Sequence, residues 1–312
     1  MAPNPLWPDL TYARWKDTAT TLQLWTQIVG KLRLVQTPWV NHGWQVPLYV
    51  SVRGLATSPI PAGHEILELE FDFIAQRLVI RTSAGASIAL ALEPQPVADF
   101  YRQVMAILRG LGIAAHIHEL PNEMQDPVAF SRDTAPRAYD AAAAHDFWRA
   151  LVQIDRIFKL FRSGFLGKAS PVHFFWGSFD LAVTRFSGRR APPHPGGVPF
   201  LPDAVVREAY SHEVSSAGFW PGNAAFPRAA FYSYAYPEPP GFRAHPVPAP
   251  GAFENALGEF ILPYEAVRSA ADPDKLLLDF LAATYAAAAE CGNWDRTTLE
   301  CELGVPGKVR PV

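Results

Sequence analysis

The order of predicted elements in this chain, a helix, then several strands, then a helix, occurs twice. Apolar residues recur at helical spacing over residues 18–35 and 96–112, and they alternate with polar residues over residues 44–92. The same succession restarts at residue 141 and closes with a helix that begins near Asp272. Alternating strands beside amphipathic helices are typical of antiparallel sheets with one covered face. The sequence therefore predicts an α+β fold of two similar halves, with mostly antiparallel sheets flanked by helices.

Short matches between the two halves predict an internal duplication. The matched pairs are Gly30-Lys31 and Gly167-Lys168, His42 ahead of Arg53 and His173 ahead of Arg185, and Asp99 to Gly112 and Asp279 to Gly292. The last pair has the same spacing in both halves. We expect residues 1–135 to form the N-terminal half and residues 136–312 the C-terminal half, which carries the candidate site.

Composition limits the classes of protein to which the chain can belong. A formal net charge of -3 over 312 residues supplies no basic field for nucleic acid. Cys291 and Cys301 are too few for a disulfide framework or a four-cysteine zinc site. The first eight residues resemble no secretory signal, and the most apolar helix candidate, residues 280–289, is too short to span a bilayer. We therefore expect a soluble, cytoplasmic protein with no nucleic-acid and no membrane partner.

Two common catalytic motifs are missing from the sequence. A phosphate-binding loop needs a glycine five positions before Gly167, and Arg162 stands there. No Gly-x-Ser-x-Gly elbow occurs, and neither cysteine lies beside a histidine in sequence. The sequence supports neither a nucleotide-binding loop nor acyl-enzyme chemistry.

Residues 167–222 are the part of the chain where we expect a site, because they set polar side chains among bulky apolar ones. His173 and His212 are candidate acid–base groups, or ligands of a divalent metal, since imidazole serves both chemistries. Asp180 and Glu213 are candidate catalytic carboxylates that orient a histidine. In a regular strand His212 and Glu213 point to opposite faces and cannot share a metal. The alternative is a polar core in which the histidines only make hydrogen bonds.

Cationic side chains in the same region are candidates for binding an anionic substrate. Arg185 is in phase with the apolar residues of a predicted strand, so we expect it to point inward and to need a carboxylate or a bound anion. Lys168, Arg189 and Arg190 flank that strand and can line the mouth of an anion site. The alternative is that Arg185 pairs with an internal glutamate such as Glu213 while the others remain in solvent.

Aromatic side chains crowd this region, and Trp176 and Trp220 are the candidates for contact with substrate. An aromatic pocket with a few polar groups is typical of small-molecule sites. The alternative is ordinary core packing, because aromatic residues dominate cores as well.

Three segments carry a resemblance to a known family. They are TLQLWTQIVGK at residues 21–31, SPVHFFWGSFDLAVTRFSGR at residues 170–189 and EAYSHEVSSAGFWPG at residues 208–222. The chain resembles, over nearly its whole length, an uncharacterised bacterial family known only as a domain of unknown function. The resemblance implies a bacterial source and a single unit of about this length. It implies no activity, cofactor or catalytic residue.

The leading hypothesis from the sequence is an enzyme that acts on an anionic small molecule in a polar-aromatic cleft, with or without a divalent metal. A non-catalytic protein that binds or senses a metabolite is one alternative. A scaffold that uses the proline-rich residues 237–250 as a docking loop is another.

Overall fold

The computed structural model describes residues 6–198 and 200–310, and these residues form seven α-helices and two six-stranded sheets. The helices are α1 (Tyr12–Gln36), α2 (Val97–Gly110), α3 (Ala141–Ser163), α4 (Asp203–Ala209), α5 (Tyr264–Arg268), α6 (Pro273–Cys291) and α7 (Arg296–Leu299). Short 3-10 helices span Asn41–Gly43, Phe130–Arg132 and Phe242–Ala244. The first six strands are β1 (Tyr49–Val50), β2 (Gly54–Ala56), β3 (Ile60–Ala62), β4 (Glu65–Asp72), β5 (Arg77–Thr82) and β6 (Ser87–Ala91). The second six are β7 (His173–Phe175), β8 (Asp180–Arg190), β9 (His212–Trp220), β10 (Ala230–Tyr236), β11 (Ala252–Glu254) and β12 (Glu259–Pro263).

The fold is α+β with two similar halves, which confirms the prediction. The N-terminal sheet has the order β1-β2-β4-β5-β6, with β3 also paired to β4. The C-terminal sheet has the order β11-β12-β10-β9-β8-β7, and the paired strands of both sheets are antiparallel. The internal duplication and the boundary at residue 135 stay predictions.

Aspartate caps begin the two long helices of the C-terminal half. The side chain of Asp140 accepts from the N–H of Ala142 at 2.8 Å, and that of Asp272 accepts from the N–H of Lys275 at 3.0 Å. Each cap satisfies a backbone donor that the first turn of a helix leaves free. The helix predicted to begin near Asp272 is α6.

Two predicted strands are absent or shortened, because side chains take up their backbone carbonyl groups. Residues 113–118 are irregular, and the carbonyl of His118 accepts from Nζ of the buried Lys31 at 3.1 Å. The strand expected over residues 44–52 is reduced to β1. Pro47 there has no N–H to donate, and its carbonyl accepts from the guanidinium of Arg33.

The C-terminal sheet has one apolar face and one polar face. The apolar face packs against α3 and α6, and the rings of Phe158 on α3 and Phe231 on β10 lie 6.4 Å apart. On the other face the strand register aligns Ala182 with Gly218 and Tyr232, and Thr184 with Ser216 and Tyr234. We call this second surface, together with Asp180 and Phe186 in the same phase of β8, the polar face.

The edges of the two sheets meet beside the polar face. Leu48 and Phe174 exchange backbone hydrogen bonds of 2.8 and 2.7 Å, which join the segment before β1 to β7. The loop that contains His42 and Trp44 is thereby placed next to the C-terminal sheet. Among the described residues, no helix has both the length and the apolar character needed to cross a membrane.

Candidate functional site

His42 is the centre of a cluster at one end of the polar face. Its backbone N–H donates to Oε1 of Glu208 at 2.8 Å, and its ring Nδ1 lies 3.0 Å from the carbonyl oxygen of Ala209. A carbonyl only accepts, so Nδ1 carries the proton and Nε2 is left as an acceptor. The backbone of His42 is left-handed, with φ of 62°. Such a conformation costs on the order of 1–3 kcal/mol in a residue other than glycine and is concentrated at functional sites.

Lys168 donates into this acceptor. Its Nζ lies 2.5 Å from Nε2 of His42, and it also lies 5.3 Å from the ring of Trp44 and 4.9 Å from that of Phe186. Lys168 as a whole is an exposed residue, and its amine lies against these two rings. Burial lowers the pKa of Lys168, and the charge of Glu208 opposes that shift. Burial and the neighbouring Lys168 charge lower the pKa of His42 as well.

His212 and Arg190 extend the cluster along the sheet. The ring of His212 lies 5.8 Å from that of His42, edge to face. Arg190 is the cross-strand partner of His212, and directly paired residues project from the same face. The exposed side chain of Arg190 makes no hydrogen bond or ion pair with any described residue. We call His42, Lys168, Arg190, Glu208 and His212, with the rings of Trp44 and Phe186, the Lys168 cluster.

His173 lies behind Trp44 at the edge of this cluster. The two rings are 6.5 Å apart, and the side chain of His173 is only 1% exposed. Burial, with a smaller effect of the Arg33 charge, lowers the pKa of His173 to about 3, so the ring is neutral. Its Nδ1 is buried and has no hydrogen-bond partner within the described part of the chain.

A second cluster, the carboxyl cluster, contains Glu123, Asp180, Tyr232 and Glu259, with Asp180 at the end of β8 away from Phe186. Asp180, 5% exposed, accepts short hydrogen bonds from the hydroxyls of Ser178 and Tyr232. Burial and then the charge of Asp180 raise the pKa of both Glu123 and Glu259 to about 7. Burial also raises the pKa of Asp180. Carboxyl groups that titrate near neutrality can give or take a proton at physiological pH.

Two glycines leave room for the carboxyl cluster. A Cβ on Gly218 would lie 2.3 Å from the hydroxyl of Tyr232, and one on Gly177 would lie 2.1 Å from Oε1 of Glu123. Real Cβ atoms do not approach other atoms so closely, so only glycine fits at these two positions without a shift of Tyr232 or Glu123.

The match to known proteins is at the level of a family. A model of the family of unknown function DUF5996 matches residues 7–301. The chain belongs to this family. The family supplies no activity, and neither a curated protein nor a solved structure matches the chain.

Several residues that the sequence nominated in this DUF5996 chain lie together on the polar face. Lys168 and His212 are in the Lys168 cluster, with His173 next to it. Asp180 is at the other end of the face, and Trp220 follows Phe219, the cross-strand partner of Leu181, so Trp220 also lies at that end. Neither Asp180 nor Trp220 contacts the Lys168 cluster; the ring of Trp220 stacks on Phe226 at 5.4 Å.

Other nominated residues lie away from the polar face. Arg185 points inward as predicted, but its guanidinium stacks 3.6 Å above the ring of Phe161 and donates to that residue's carbonyl, on the apolar side of the sheet. It is not paired with Glu213. Trp176 is buried, with its indole N–H donating to the carbonyl of Val46 at 3.0 Å. These contacts place Arg185 and Trp176 in the core rather than on the polar face.

The side chains of Glu213 and Arg189 pair with each other and make no hydrogen bond to the Lys168 cluster. Nη2 of Arg189 lies 2.6 Å from Oε2 of Glu213 and also 2.6 Å from the carbonyl of Gly292. Neither Asp180 nor Glu213 makes a hydrogen bond to a histidine in the described part of the chain, whereas the carbonyl of Ala209 accepts from Nδ1 of His42.

The divalent metal expected on His173 and His212 has no third protein ligand nearby. Across residues 6–198 and 200–310, no three histidine, cysteine or acidic side chains converge closely enough to hold a metal ion. Zinc requires at least three protein ligands even in an open catalytic site.

Sequence reasoning missed the side chains that come from other parts of the fold. His42 attracted notice only as a match to His173, and Arg190 only as a neighbour of Arg189. Glu208, Glu123 and Glu259 carried no motif. The sequence holds one signal for Glu208, its position four residues before His212. In the structure both residues contact His42.

Proposed function

We propose that this protein is an enzyme that acts on an anionic small molecule at the Lys168 cluster. The observation that carries the proposal is the 2.5 Å contact between Nζ of Lys168 and Nε2 of His42, whose other ring nitrogen is held by the Ala209 carbonyl. A donor, an acceptor and a group that orients the acceptor form the arrangement that proton-transfer catalysis needs. The left-handed backbone at His42 supports the same conclusion.

Arg190 and His212 supply the end of the site that binds the anionic group. Arg190 is exposed and unpaired within the described chain, and its fork of donors matches a carboxylate or a phosphate. The sequence predicted Arg189 for this role, but its guanidinium donates hydrogen bonds to Glu213 and to the carbonyls of Gly292 and Asn293. The anion is therefore assigned to Arg190.

The two neighbouring arginines give a matched test of the anion site. We expect inorganic phosphate to raise the melting temperature of the wild type but not of Arg190→Ala. The same difference is expected for those compounds in a panel of small carboxylates and phosphomonoesters that bind the wild type. Arg189→Ala is expected to keep that shift while losing about 1–2 kcal/mol of stability, because its charged hydrogen bonds to the end of α6 are half-exposed. A shift that Arg189→Ala abolishes and Arg190→Ala retains would reverse the assignment.

Catalysis is tested on the compounds that bind. Conversion of a bound compound, followed by nuclear magnetic resonance, is expected for the wild type and not for His42→Asn. Asparagine accepts the left-handed backbone and can still donate to the Ala209 carbonyl, but it has no acceptor equivalent to Nε2. Binding with no conversion by the wild type would favour the non-catalytic binding protein.

The remaining sequence expectations accompany this proposal. Cys291 and Cys301 are both free thiols, which suits a reducing bacterial cytoplasm. The presence of one six-stranded antiparallel sheet in each half suits an internal duplication.

A further inference from the structure

The Lys168 amine has more than the features of an anion anchor. A lysine that only holds an anion gains nothing from donating one of its protons to a neutral imidazole, which takes that proton away from the anion. In this protein Nε2 of His42 is positioned to accept a proton from Lys168. It lies 2.5 Å from Nζ, and the Ala209 carbonyl keeps the imidazole proton on the other ring nitrogen, Nδ1. A nucleophile, an adjacent base and a group that orients the base are the three parts of covalent catalysis by an amine.

We propose that Lys168 is an amine nucleophile that forms an imine with an aldehyde or a 2-oxo acid, with His42 as its proton acceptor and Arg190 as the partner of the substrate's anionic group. This proposal rests on the proposed function, because it uses the same site and names its substrate class.

The surroundings of Lys168 suit this chemistry. Lys168 is an exposed residue, so a small molecule can reach it, while the rings of Trp44 and Phe186 lie against its amine at 5.3 and 4.9 Å. Partial burial lowers the pKa of Lys168, which raises the fraction of neutral amine at a given pH. The two rings and Glu208 act in the opposite direction by stabilising the ammonium ion, so the amine remains protonated until His42 or solvent takes the proton.

The condensation balances with the groups at the site. The ammonium proton first passes through Nε2 of His42 to solvent, which leaves Nε2 free again. The lone pair of the neutral amine then attacks the carbonyl carbon, and the π pair of the C=O bond moves to oxygen. The two amine protons pass in turn through Nε2 of His42 to that oxygen. The C–O bond then breaks, the nitrogen lone pair completes the C=N bond, and the products are one imine and one water.

Reductive trapping tests the proposal on the full chain. Glyoxylate combines an aldehyde with a carboxylate, and cyanoborohydride reduces its imine to a stable carboxymethyl-lysine that peptide mass spectrometry locates. Lys16, an exposed lysine on α1, is the internal control. At pH 7 we expect Lys168 to be labelled severalfold faster than Lys16, because Nε2 of His42 accepts a proton from the Lys168 amine and leaves it nucleophilic.

Two further measurements separate the possible failures. His42→Asn, checked for folding by circular dichroism, is expected to slow labelling of Lys168 to the rate of Lys16 and to leave Lys16 unchanged. Labelling of Lys168 no faster than Lys16 in the wild type overturns the imine proposal whether or not this variant folds. If labelling fails but the phosphate shift that depends on Arg190 persists, the anion site stands without imine chemistry. If both fail, the proposed function fails as well.

Discussion

Gly30→Ala is expected to destabilise the protein by about 2–4 kcal/mol, although alanine is the better helix former. Gly30 lies inside α1, where the substitution by itself should add about 1 kcal/mol of stability. A Cβ at this position would lie 2.1 Å from Nε1 of Trp176 and 2.2 Å from its neighbouring ring carbon. The indole would have to move, and its hydrogen bond to the Val46 carbonyl would be lost in a buried setting. The steric and hydrogen-bond losses outweigh the gain in helix propensity.

Urea unfolding of two alanine variants measures this effect against a matched control. A Cβ on Gly110, the last residue of α2, has no neighbour within 4 Å, so Gly110→Ala should be neutral or stabilising by up to about 1 kcal/mol. In the background Trp176→Ala, Gly30→Ala should lose its penalty, as a double-mutant cycle detects. Equal effects of Gly30→Ala and Gly110→Ala would show that Trp176 does not pack against α1, and its nomination as a substrate-binding residue would regain support.

Glu259→Gln is expected to stabilise the protein by about 1–3 kcal/mol at pH 8 and to have little effect near pH 4. The folded-state pKa of Glu259 is raised from 4.5 to about 7 by burial and by Asp180. Between these values the folded state binds the proton more tightly than the unfolded state does. Its contribution to stability is therefore complete below pH 4.5 and is lost as the pH rises through 7. Glutamine never ionises, so the variant avoids that loss.

Equilibrium unfolding at pH 4, 6 and 8 tests this prediction, with the exposed Glu302→Gln as the control. The control should change stability by less than about 0.5 kcal/mol at each pH. A constant difference between Glu259→Gln and the wild type across this range would mean that Glu259 titrates as an ordinary surface carboxyl. The predicted behaviour would identify the carboxyl cluster as a group of acids that exchange protons near neutrality, at the end of the polar face away from Lys168.

Basic and acidic side chains occupy different parts of the polar face. Cationic and imidazole groups lie at the end marked by Phe186, and carboxyl groups lie at the end marked by Asp180, six residues earlier on β8. At about 3.3 Å per residue, the Cα atoms of Asp180 and Phe186 are about 20 Å apart along β8. The experiments on Lys168 and on Glu259 test different groups of side chains on this face.

Local patterns in the sequence determined the element types and part of the site. The helical spacing of Leu22, Trp25 and Val29 predicts α1, and the alternation around Glu68 and Glu70 predicts β4. Both patterns follow from the regular geometry of a single element, which fixes the face toward which each residue projects. The same alternation predicted that Arg185 points inward, and Arg185 is buried. It also drew attention to residues 167–222, where Lys168 and His212 lie.

Only the tertiary structure decided which of these side chains meet. His42 reaches Lys168 because the loop before β1 is bound to β7 through Leu48 and Phe174, residues far apart in the chain. Residues 113–118 alternate like a strand but form none, because Lys31 on a distant helix takes the carbonyl of His118. Periodicity records which side of an element is buried, whereas contacts between elements depend on loop geometry and on buried hydrogen bonds that no local pattern encodes.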